Sequence, residues 1–220
     1  MGNQDESFDA AYRRSDRYFG DGPEKLLVEY REILDPGRPV LDVGAGQGRN
    51  ALYLAGAGFE VDAVDPSAEA VRATSEAARR EALTMRVVKA GFEELGPQAA
   101  GRTYGTICLF GLIPLLTRPQ IELLMDKVKE WSDAGTVLFV TAFTDADPSF
   151  AGCSAAWRRI ARNSFQDRQG VVRTFLAAGE AVALFPGFEI LHHREGPGPE
   201  HRHGDGPVQR HELVELVLRR

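Results

Sequence analysis

Two acids and three glycines stand at spacings suited to gripping a polar ligand. Asp42, Gly44, Gly46 and Gly48 fall within seven residues, and Asp65 follows Asp42 by 23. Glycine lets the backbone turn tightly and approach a ligand with no Cβ between them. A helix starting there adds unpaired N–H groups that face the same ligand. A carboxylate placed like Asp65 accepts hydrogen bonds from both hydroxyls of a ribose. Asp42 narrows the ligand further, because an acid just before the loop repels a pyrophosphate but holds an ammonium, directly or through water. The loop reads G-x-G-x-G, whereas a dinucleotide site takes G-x-G-x-x-G; Arg49 stands where that third glycine would be. A second group is the five histidines, all in the last 29 residues: His192, His193, His201, His203 and His211. An imidazole near its ordinary pKa is a base at neutral pH. A metal site needs three or four ligands, and no C-x-x-C or helical H-x3-H completes one here, so no metal is expected. Cys108 reads as a core residue; Cys153 is unassigned.

These groups need elements to position them. The chain has 220 residues, 43% hydrophobic and 26% charged, with net charge −6. That excludes a disordered or fibrous chain and fits a single domain over 1–220. The acidic balance argues against a nucleic-acid or membrane partner bound by bulk electrostatics. Two cysteines make no disulfide framework and suit a reducing compartment; a polar, acidic start lacks the marks of a signal peptide, so a cytoplasmic protein is expected. The apolar run from Ile107 to Leu116 is too short to span a membrane. Pro23 to Leu34 predicts a helix with one apolar stripe. Val40 to Val43 predicts a strand, then come the glycine loop and a helix over Arg49 to Ala57. Phe59 to Val64 alternates like a strand, and Ser67 caps an alanine-rich helix reaching about Ala82. Arg86 to Lys89 and Thr106 to Phe110 are further strands. Thr117 and Gln120 form a capping box before a helix, and Thr136 to Phe143 is a β-branched and aromatic strand. Phe188 to His192 and His211 to Leu218 are the last two strands. Strands alternating with helices mean an α/β fold with a largely parallel sheet.

S-adenosylmethionine carries an ammonium and a ribose and no phosphate. The run LDVGAGQGRN followed by VDAVDPS resembles the first motif and the acidic loop of class I S-adenosylmethionine-dependent methyltransferases. The resemblance implies a Rossmann-like fold: a mostly parallel seven-stranded sheet, helices on both faces and an antiparallel C-terminal hairpin. It implies that Asp42, Gly44, Gly46 and Gly48 wrap the methionine end and that Asp65 holds the ribose, with Ala45, Asn50 and Pro66 among the cofactor-binding residues. Gly91 stands where the family often carries an acid for the adenine amino group. Phe92 is left to pack on the adenine, and Glu93 or the backbone to meet that amino group; Phe110 is a further cofactor-binding candidate. Gly48-Arg49-Asn50 before Ala51-Leu52-Tyr53-Leu54-Ala55 resembles the tellurite- and selenite-resistance type and its small-molecule relatives. Phe175 to Glu180 is similar to their last helix. In that group a histidine–arginine pair faces the methyl acceptor, which implies His201 and Arg202 here.

The implied layout has a lid segment at 1–20, a cofactor-binding core at 40–143, an acceptor-side insertion at 144–175 and a C-terminal helix and hairpin at 176–220. Within the insertion Arg158, Arg159, Arg162, Arg168 and Arg173 outnumber the acids Asp145, Asp147 and Asp167, which suits an anionic or electron-rich acceptor. Arg158 and Arg162 at i,i+4 also fit an exposed helix face. The expected reaction is in-line methyl transfer to O, N, S or a metalloid oxyanion of a small molecule, by a monomer or homodimer. His193 or His203 is a second candidate in the tail. Two alternatives stay open: a cofactor-binding protein of this fold without methyl transfer, and a nicotinamide-dependent dehydrogenase.

Overall fold

The parallel half of the main sheet comes from five strands: β1 (Val40–Val43), β2 (Val61–Asp65), β3 (Arg86–Lys89), β4 (Tyr104–Phe110) and β5 (Ser132–Phe143). The computed structural model describes residues 2–15, 17–95, 102–202, 204 and 206–220. Two antiparallel strands, β9 (Glu189–Pro197) and β10 (Glu212–Arg219), complete the sheet in the order β3-β2-β1-β4-β5-β10-β9. β1 lies between β2 and β4, and its successor in the chain pairs on one side while β4 pairs on the other. The strand order reverses there, which opens a crevice at the carboxyl ends of β1 and β4.

Alternation along these strands sends side chains to two cores. Leu41, Val43, Ile107, Leu109, Leu138 and Val140 pack with Ile121, Leu124, Val128 and Trp131 of α5 (Arg118–Trp131). Val40, Cys108, Val137 and Phe139 pack on the other face with Leu26 and Leu27 of α2 (Lys25–Glu29) and Ala51 and Leu54 of α3 (Arg49–Gly56). The expected caps form. Ser67 Oγ accepts from the Ala70 N–H at 3.0 Å and starts α4 (Ala68–Arg80), and the Thr117 N–H donates to Gln120 Oε1 at 2.9 Å before α5.

Three local expectations are corrected, and one helix appears that no expectation covered. The Pro23–Leu34 helix is only α2 followed by a 3-10 turn at Arg31–Ile33. The Glu24 N–H is held at 2.8 Å by Asn50 Oδ1, so the helix starts late, and Tyr30 turns away toward His192. Residues 1–20 contain an unexpected helix, α1 (Gly2–Arg14). After α6 (Pro148–Ala156), Arg158 and Arg162 belong to no helix; the chain forms a three-stranded antiparallel ribbon, β6 (Arg158–Ala161), β7 (Ser164–Gln166) and β8 (Val172–Thr174). Phe175 to Glu180 is not a helix, because the Phe175 and Leu176 N–H groups are drawn to Asn163 O and Phe143 O; only α7 (Glu180–Ala183) is helical.

Candidate active site

The loop after β1 is left-handed at all three glycines, with φ of +73° at Gly44, +54° at Gly46 and +82° at Gly48. That backbone favours glycine. Gly48 is also crowded: a Cβ there would meet Thr74 Cγ2 at 2.5 Å. The loop is tied down from two sides. Gly44 and Ala45 donate N–H groups to Val64 O, and Thr74 Oγ1 donates to Gly46 O at 3.1 Å. Asp65 closes it: Oδ2 accepts the Gly46 N–H at 2.8 Å and Oδ1 the Ser67 N–H at 2.9 Å.

The loop opens on a cavity of about 1870 Å³. Asp42 lines its floor at 2% exposure, and its Oδ2 has no hydrogen-bond partner. Burial pushes the Asp42 carboxyl up to about 7, with Asp65 adding to the rise and Arg49 opposing it. Asp42 is therefore a buried acceptor short of a cation. An ammonium supplies the missing charge and donors; a phosphate would worsen the conflict. Asp65, Pro66, Gly91, Phe92, Glu93 and Phe110 line the same cavity. Glu93 Oε1 accepts from Gln120 Nε2 at 2.9 Å, while its Oε2 is buried with no partner and suits an amino group. Gly91 caps a short 3-10 turn, and Phe92 is buried. Ammonium, ribose, aromatic base and exocyclic amine together match the donor set of S-adenosylmethionine. Asn50 also borders the cavity, yet its Oδ1 is spent on the Glu24 N–H, so it braces the wall.

Phe8, Tyr12, Tyr18 and Phe19 roof the cavity, fastened by contacts distant in sequence. Gln47, an unremarked loop residue, donates Nε2–H to Ser15 O at 2.7 Å and accepts the Tyr18 N–H on Oε1 at 2.8 Å. Asp9 accepts from Ser67 Oγ and from the Glu69 N–H at 3.2 Å, holding α1 on the start of α4. Tyr12, 6% exposed, packs among Phe8, Tyr18 and Phe19, with its hydroxyl over Gly46.

Phe143, Arg173, His201 and His211 also line the cavity. Arg173 sits over the Phe143 ring, 5.5 Å from its centroid, and burial lowers the pKa of its guanidinium. His211 stacks on the same ring at 4.3 Å, and its Nδ1 lies 2.8 Å from Asp147 Oδ2. His201 is 5.1 Å from His211, centroid to centroid, and its Nδ1 lies 3.1 Å from Pro199 O. The predicted partner of His201 is elsewhere: Arg202 is exposed, donates to Gly206 O at 2.9 Å and does not border the cavity. His193 lies in β9, 3.2 Å from Glu195 Oε1 and outside the cavity wall. His203 lies outside the described residues. Among the described residues, no three His, Cys, Asp or Glu side chains are grouped to hold a metal.

Sheet order, glycine loop and the acid closing β2 define the class I methyltransferase architecture. The chain belongs to the TehB family: the sequence model described as tellurite resistance protein TehB matches residues 15–172. A probable S-adenosyl-L-methionine-dependent methyltransferase TehB from Haemophilus influenzae is 25% identical over 121 residues, 55% of this chain and 41% of that protein. Hemagglutinin 1 of Eikenella corrodens is 34% identical over 108 residues, 49% of this chain and 35% of its own length. The chain thus spans about two fifths or less of these curated relatives. The fold is shared with the Burkholderia thailandensis 1,6-didemethyltoxoflavin-N1-methyltransferase, solved with 1,6-didemethyltoxoflavin and S-adenosylhomocysteine. That match has a TM-score of 0.68 at 18% identity and covers 99% of this chain and 87% of that one. No helix among the described residues is long and apolar enough to cross a membrane.

Proposed function

We propose that this chain transfers a methyl group from S-adenosylmethionine to a small-molecule acceptor. The observation that carries the reading is the pair of acids flanking one glycine loop, Asp42 in β1 with a buried, unpartnered Oδ2 and Asp65 at the end of β2. Asp42 holds the ammonium, and the backbone of Gly44, Ala45, Gly46 and Gly48 follows the methionine chain, with Asn50 bracing the wall. Asp65 turns its carboxylate to the ribose, beside Pro66. Phe92 packs on the adenine over the Gly91 backbone, Glu93 Oε2 takes the amino group, and Phe110 closes the floor. When bound, the cofactor supplies an electrophilic methyl carbon on a sulfonium. The chain's own part is to align the acceptor with that carbon and keep water out, the latter through the Gln47-pinned roof. His201 and Arg173 meet the acceptor; Arg173 supports an anionic or electron-rich one. Arg202, bonded to Gly206, is given no role. The small-molecule substrate named for the Burkholderia enzyme supports an acceptor of that size.

Calorimetry with S-adenosylhomocysteine tests the site. Hydrogen bonds to a charged acceptor contribute roughly 1.5–3 kcal/mol each. Asp65→Ala is therefore expected to weaken binding by about 100-fold or more, and equal affinity in the two proteins would remove Asp65 from the site.

A further inference from the structure

Arg173 is a cation in the cavity wall with no counter-ion. It stands in β8 between two buried neighbours, Val172 and Thr174, and alternation along the strand turns its side chain the other way, into the cavity. Among the described residues its guanidinium has no ion pair and no hydrogen bond; it rests over the Phe143 ring, 5.5 Å from the centroid. Asp147 is the carboxylate that acts on it, from beyond ion-pair range, and both its oxygens are taken. Oδ1 accepts the Ser149 N–H at 2.9 Å; Oδ2 accepts the Glu212 N–H at 3.0 Å and lies 2.8 Å from His211 Nδ1. Burial outweighs that distant charge and lowers the Arg173 pKa. Arg49 and Arg118, also partly buried, are by contrast paired with Glu24 and Glu180. A sheltered charge left uncompensated is costly, so the fold keeps a place for an anion beside Arg173.

That anion is not the cofactor's own. In S-adenosylmethionine the carboxylate and the ammonium share one carbon, and the ammonium goes to Asp42 in β1. Phe143, under Arg173, ends β5, two strands along in the order β1-β4-β5. Two strand spacings put about 10 Å between them across the sheet. One unpaired cation calls for one negative charge, and the planar guanidinium fork fits a carboxylate through two parallel hydrogen bonds. Much of the remaining wall is aromatic: Phe8, Tyr18, Phe19 and Phe110 line the cavity with Phe143, which suits a flat apolar body. We propose that the methyl acceptor is an aromatic carboxylic acid and that Arg173 binds its carboxylate, selecting it over neutral compounds of the same shape. This rests on the reading above and narrows its acceptor.

Two measurements on the full chain test it. The first is an NMR titration of the protein saturated with S-adenosylhomocysteine, using benzoate and its neutral isostere benzamide as probes. Benzoate is expected to bind about tenfold more tightly, since hydrogen bonds between charged partners contribute at least that much. In Arg173→Gln the two probes should bind alike, while calorimetry shows S-adenosylhomocysteine binding as in the wild type. Benzoate that fails to bind, or binds no tighter than benzamide, overturns the acceptor class. A preference that survives in Arg173→Gln overturns the residue. A variant that also loses S-adenosylhomocysteine affinity puts the guanidinium on the cofactor's carboxylate, which overturns the proposal too. A wild type that does not bind S-adenosylhomocysteine fails the methyltransferase reading itself. The second measurement is the melting temperature of ligand-free Arg173→Met, which separates a binding group from a structural one. Removing an unpaired, sheltered cation should leave the variant melting no lower than the wild type. A lower melting temperature makes Arg173 a prop of the fold and overturns the proposal.

Discussion

Asp42 is the residue at which charge and fold are most at odds. It lies buried in β1, opposite Cys108 of β4, and the thiol is itself pushed well up by burial and by the Asp42 charge. A carboxyl raised in the folded state keeps its proton over a pH range where the unfolded chain has lost it. Its stabilisation is complete below the ordinary value of 3.8 and declines as pH rises toward about 7. At 1.36 kcal/mol per unit, that loss is on the order of 4 kcal/mol. Asp42→Asn is expected to raise the melting temperature of the ligand-free protein at pH 8. An ammonium on Asp42 reverses the shift. Binding of S-adenosylhomocysteine at pH 6 should therefore release close to one proton, read from calorimetry in buffers of different ionisation enthalpy, and at pH 8 almost none. Asp42→Asn should abolish the release.

At the scale of elements, the loop and its roof act together through Gln47. Its amide makes both bonds that fasten the segment after α1, at Ser15 O and the Tyr18 N–H. Gln47→Ala is expected to speed hydrogen exchange over residues 8–19 while leaving β1, β4 and β5 protected, and to weaken S-adenosylhomocysteine several-fold. Unchanged exchange would mean that the aromatic packing alone holds the roof. Gly48→Ala is a harsher change, since the new Cβ would press on Thr74 in a left-handed backbone. A loss of about 1–3 kcal/mol in denaturant unfolding is expected. The glycine loop, the β1–β5 strands and the two caps were legible in sequence because their signals are local: period, β-branching, and a capping residue three positions from its partner. The roof was not, because α1 is polar and is positioned by Asp9 reaching Ser67, 58 residues away. The ribbon of β6 to β8 was hidden by arginines that fit an exposed helix as well as an exposed strand. Resemblance pointed to His201, which lines the cavity, whereas the contact of His211 with Asp147 needed the meeting of α6 with β10.

Across the whole molecule, the buried acids give two opposing pH terms. Asp62 lies 2% exposed between the arms of Arg86, at 2.9 and 2.6 Å, and the Tyr104 hydroxyl, at 2.8 Å. Burial raises its pKa, but the bonds to Arg86 and Tyr104 outweigh it and leave it lowered; Asp147 is lowered in the same way. Depressed carboxyls add stability above their unfolded values and lose it as pH falls through the folded ones. Asp42 works in the other direction. The ligand-free protein is thus expected to be most stable at mildly acidic pH, declining toward neutrality and falling away in strong acid. Saturating S-adenosylhomocysteine should lift the neutral side of that curve, both by mass action and by discharging the Asp42 conflict. Thermal melts from pH 3 to 9, with and without ligand, check the shape; a maximum above pH 7 without ligand would contradict it.

On the proposed function, this cavity takes an ammonium and a ribose and not a pyrophosphate. Calorimetric titration of the wild-type chain with S-adenosylhomocysteine, set against NADH, tests it most directly. Saturable one-to-one binding of S-adenosylhomocysteine and none of NADH is expected. Binding of NADH with no response to S-adenosylhomocysteine would contradict it.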